Sequence, residues 1–196
     1  MHLDGNRWNF TRKFAAKKGQ SRFLKRLDEA RSYFPELDGH TVKVGITINA
    51  DGKADLKGRA VYFRSRNVSF YVMGHELTHL LQEIKGLPKS ERSCDLYTMA
   101  RRVEFCDEAP NYVKVPRGML DEKGFIQKQY QTFVHDSAKR AVSLRESGMR
   151  RYILWFEKAL EEVWKKDEPG ERMSSEMQLK TELLIQTKLE DFLGSG

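Results

Sequence analysis

Only two cysteines, Cys94 and Cys106, occur in 196 residues. A single pair cannot build the disulfide framework that staples small secreted domains. No run of about 18 apolar residues is present, so no transmembrane helix is expected. Residues 1–20 are basic but lack an apolar stretch, so no secretory signal is expected either. There is no internal repeat and no low-complexity tract, which sets aside solenoids and tails of biased composition. These absences point to a cytoplasmic protein that does not engage the membrane.

What is present suits a packed core: 39% of residues are hydrophobic and 32% charged. The length suggests one domain, with at most a helical appendage. The net charge of +7 is uneven: residues 1–120 hold 22 Lys and Arg against 14 Asp and Glu, and residues 121–196 hold 13 against 14. The basic excess therefore belongs to the first part. Residues 41–49 (TVKVGITIN) and 59–64 (RAVYFR) read as strands, with Asp51-Gly52 a turn pair between them. Residues 21–33 read as an amphipathic helix. A second helix spans 68–85 and is closed by Gly86; a third opens at Ser90 as N-cap and runs to about Val103. Past a linker with Pro110 and Pro116, helices are expected over 125–146, 151–165 and 175–193. The pattern predicts an α+β fold, divided into residues 1–118 and a helical subdomain over 119–196.

The sharpest chemical feature is His75-Glu76-Leu77-Thr78-His79. On a helix, positions i and i+4 share a side, so both imidazoles can bind one Zn²⁺. Glu76 stands about 100° round the helix, beside the metal, where it can take a proton from a metal-bound water. The neighbours Val72, Met73, Gly74, Leu77, Thr78, Leu80 and Leu81 are uncharged. A surface helix with two unrelated histidines would not read this way.

These residues resemble the active-site helix of the zincin metallopeptidases, and His75, Glu76 and His79 match the motif directly. No third histidine follows at the metzincin spacing, since the next is His135. Glu91 and Asp95 form an ExxxD pair similar to the glutamate helix of gluzincins. There the Glu is the third zinc ligand and the Asp hydrogen-bonds a zinc histidine. With 11 residues between His79 and Glu91, a symmetric helical hairpin would put Asp95, rather than Glu91, level with His79. Asp95 thus stands either behind a histidine or as the third ligand itself. The resemblance covers about residues 58–104. It implies a small zincin-like fold, a short twisted sheet over the HExxH helix with the C-terminal helices closing the other side of the cleft. It also implies one Zn²⁺ per chain and hydrolysis of peptide bonds in protein or peptide substrates by a zinc-bound water activated by Glu76.

Three further features need roles. Tyr97, Arg101, Arg102 and Tyr112 are candidates to stabilise an oxyanion. The strand at 59–64 is expected to form the upper rim of the cleft and pair with extended substrate. The basic N-terminus, with Arg12-Lys13, Lys17-Lys18 and Lys25-Arg26 among Trp8, Phe10, Phe14 and Phe23, offers contacts to nucleic acid. Two alternatives to a peptidase follow: a nucleic-acid-associated zinc protein, and a non-catalytic binding module stabilised by a closed zinc site.

Overall fold

β2 (Val42–Ile46) and β4 (Ala60–Phe63) lie parallel at the centre of a four-stranded sheet, where the β-branched runs predict strands. The computed structural model that shows this describes residues 7–16, 20–64 and 68–166. The helix expected over 175–193 and the pair Lys17-Lys18 lie outside the described residues. β1 (Trp8–Phe10) adds in parallel beside β2, and β3 (Gly52–Asp55) adds antiparallel to β4, giving the order β1-β2-β4-β3.

Two expectations are corrected here. Gly52 does not close a turn; it opens β3. The strand over 59–64 is not the rim either, because β4 sits inside the sheet and β3 takes the edge. The short GKAD run has little strand preference of its own. Its ladder with β4, Gly52 opposite Phe63 through Asp55 opposite Ala60, supplies the order.

The face of the sheet carrying Val42, Val44, Val61 and Phe63 is buried. Helix α1 (Arg12–Ala15) and helix α2 (Ser21–Ser32) contribute Phe14 and Phe23, and the Phe23 ring meets Phe63 edge-on at 5.6 Å. Arg31 is almost fully buried at the end of α2. It donates to the carbonyls of Arg7, Leu37 and His40 and packs over Trp8, so one guanidinium ties β1 to α2.

Helix α3 (Phe70–Ile84) carries the HELTH run and is buried on nearly all sides, which is why its sequence has no charged flank. Its N-terminal amides are satisfied by the Ser69 hydroxyl, which accepts from Val72, and by Asp107, whose two oxygens accept from Phe70 and Tyr71. Gly86, with φ of +67°, follows the helix as expected. Helix α4 (Glu91–Met99) packs against α3 and starts one residue after its cap, with Ser90 accepting from Ser93. Helices α5 (Lys128–Glu146) and α6 (Tyr152–Lys166) follow, both packed against α4. One continuous apolar core runs from Phe14 to Leu160, drawing its buried side chains from β2, β4 and the helices. No helix among the described residues is long and apolar enough to cross a membrane.

Candidate metal centre

His75 and His79 stand one turn apart on α3, with ring centroids 4.7 Å apart and planes nearly perpendicular. Their Nε2 atoms face each other at 3.0 Å. Glu91, the first residue of α4, brings Oε2 to 3.3 Å from His75 Nε2 and 3.1 Å from His79 Nε2. Ligands held tetrahedrally at zinc distances stand about 3.3 Å from one another, so the triangle has nearly the size of one face of such a site. Three acceptors crowded together repel unless a proton or a cation lies among them.

The two imidazoles are oriented from behind by different groups. Asp95 is fully buried and places Oδ1 2.9 Å from His75 Nδ1, an ion-pair contact. Tyr71 donates its hydroxyl to the same oxygen at 2.5 Å, and the backbone amides of Tyr112 and Val113 donate to Oδ2 at 2.7 and 3.1 Å. Asp95 therefore has its oxygens turned to Nδ1 and the backbone, away from the Nε2 triangle. Burial pulls the basicity of His75 down, but Asp95, with Glu76 and Glu91 adding to it, outweighs burial and leaves the imidazole above its ordinary value. Behind His79 stands Gln82, buried, with Oε1 2.8 Å from Nδ1. The spacing HxxQ carries this partner in plain view, but a lone amide on an apolar helix gives no signal of function by itself.

Glu76 is only 6% exposed and lies beneath the first residue of β3. Burial pushes its carboxyl up, His75 draws it down and Glu91 adds to the rise, which brings it to about 7. A carboxyl poised there can both accept and return a proton near neutral pH.

Cys94 also lies close. One atom each from His75, His79 and Cys94 fall within 4.8 Å of one another, so this group could hold a metal ion. Yet the Cys94 thiol is fully buried and donates to the His75 carbonyl at 3.2 Å. Burial, with Asp95 and other nearby carboxylates adding to it, holds the thiol well above its ordinary value, which opposes the thiolate a metal needs. Glu91 has the shorter approach, and its side chain is 47% exposed.

The four oxyanion candidates separate. Arg101 grips Glu36 and the Tyr33 carbonyl, and Arg102 pairs with Glu104. Tyr97 is half-buried, in electrostatic reach of Tyr152 and Arg145. Tyr112 alone borders the centre: its ring stacks on His75 at 6.4 Å, and half of the residue is exposed. Its backbone is held by Asp95, so the same carboxylate positions both the histidine and the tyrosine.

No known protein family, curated protein or solved structure matches this chain.

Proposed function

We propose that the chain is a zinc-dependent peptidase of zincin-like architecture. The observation that carries this is the triangle of His75 Nε2, His79 Nε2 and Glu91 Oε2 with the buried carboxyl of Glu76 on the same helix. Two imidazoles and one carboxylate, open on one side, form the donor set typical of catalytic zinc. Zinc held there supplies Lewis acidity and makes a coordinated water acidic.

The protein's own groups do the rest. Asp95 and Gln82 fix the imidazoles, Glu76 takes a proton from the attacking water and returns it to the leaving amine, and Tyr112, whose ring stacks on His75, is the candidate to donate to the oxygen on which charge develops. The edge of β3 turned away from β4 offers a backbone ladder to an extended peptide. Glu76→Gln is expected to keep zinc and to slow peptide cleavage by about 10²–10⁴-fold. Cleavage at the wild-type rate would overturn the mechanism.

The nucleic-acid reading has less support. Phe14 and Phe23 are spent in the core and the Trp8 indole donates to Asp28, so the described N-terminal segment offers cations but few free rings for stacking.

A further inference from the structure

Eleven residues separate His79 from Glu91, and a symmetric hairpin would bring Asp95, not Glu91, level with His79. The explanation lies in Gln82. Its Nε2 donates to the Pro88 carbonyl at 2.7 Å and the Ser90 carbonyl at 3.3 Å. Those two carbonyls fix which end of the amide is which, because an oxygen facing them would be repelled. Oε1 must then face His79 Nδ1, so that nitrogen must carry the proton and Nε2 is left with its lone pair toward the triangle. The same amide holds the α3–α4 loop against the last turn of α3, and Glu91 follows Ser90 directly.

We propose that Gln82 is the positioning residue that selects Glu91 as the third ligand while it fixes the tautomer of His79. The assignment rests on the metal reading above. It has a consequence that mere packing would not have: a carboxylate at position 82 could still accept from His79, but it would repel the two loop carbonyls. Gln82→Glu therefore keeps one task and loses the other, and Gln82→Leu loses both.

The test is zinc affinity, measured by competition with a chromogenic chelator on the full chain. It uses wild type, Gln82→Glu, Gln82→Leu, Glu91→Ala and the two double variants, with folding checked by circular dichroism. Both single Gln82 variants are expected to bind zinc about tenfold or more weakly than wild type. In the Glu91→Ala background Gln82→Glu is expected to cost nothing further, because the residue it misplaces is gone, whereas Gln82→Leu keeps part of its loss through His79. Wild-type affinity in Gln82→Glu, or a loss of the same size in both backgrounds, would overturn the assignment while leaving the zinc site standing. No zinc binding by wild type would remove the metal reading and this assignment with it. A readout that needs no variant is nitrogen NMR of His79 in the zinc-loaded protein. The proton on Nδ1 and the metal on Nε2 are expected; the reverse would overturn the proposal.

Discussion

The backbone of Gly52 passes directly over the carboxylate of Glu76: a Cβ at position 52 would stand 2.4 Å from Oε1 and 2.7 Å from Cγ. The edge strand and the proposed base are thus in contact, and the absence of a side chain at position 52 is what lets the carboxyl lie buried beneath the sheet. Gly52→Ala is expected to displace Glu76 without touching the histidines. Peptide cleavage should fall by about 100-fold, the scale of a misplacement near 1 Å, with zinc content unchanged. Unaltered kcat in a folded, zinc-loaded variant would show that Glu76 is not the base.

Cys94 separates an open centre from a closed one. A structural zinc with four protein ligands would need it, since among the described residues it is the cysteine that approaches both histidines. Cys94→Ala is expected to retain about one zinc per chain and to lose on the order of 1 kcal/mol of stability with its hydrogen bond to the His75 carbonyl. Loss of the metal would favour the closed, non-catalytic module.

Away from the centre, Arg101 holds Glu36 through both terminal nitrogens, at 2.8 and 3.1 Å, and packs over Phe34. Burial alone would raise the Glu36 carboxyl, but the hydrogen bond and charge of Arg101 outweigh it, so the group titrates below its ordinary 4.5. An acid held lower in the folded chain than in the unfolded one binds its proton more weakly when folded. Its stabilisation is complete above about 4.5 and is lost as the pH falls through the folded value. The unfolding free energy from urea titrations taken downward from pH 5 should therefore fall further in wild type than in Arg101→Met, by about 1 kcal/mol for this partly exposed pair. Parallel curves would contradict the assignment.

The centre was more legible in the sequence than the sheet around it. HELTH lies on one buried helix because its spacing and apolar neighbours are local properties, and the Ser90 cap fixed where α4 begins. Whether Glu91 or Asp95 faces the histidines was not legible, because it depends on how a loop folds back, and that rests on the contacts of Gln82 with Pro88 and Ser90. β1 was hidden inside a basic segment; Trp8 pairs with Val42, a partner 34 residues away that no local pattern announces. β3 was missed for the converse reason: Gly52 and Asp55 disfavour strands, and only pairing with β4 orders them. Nothing in the sequence marks Tyr71, whose hydroxyl reaches Asp95, 24 residues further along the chain.

The central claim is that His75, His79 and Glu91 bind one zinc while Asp95 stands behind His75. Elemental mass spectrometry on wild type, Glu91→Ala and Asp95→Asn tests it most directly. The account predicts about one zinc per wild-type chain, zinc lost on dialysis from Glu91→Ala because two imidazoles alone hold it only weakly, and zinc retained, though held more weakly than in wild type, in Asp95→Asn. A folded, zinc-reconstituted wild type without metal, or zinc kept in Glu91→Ala and lost in Asp95→Asn, would contradict it.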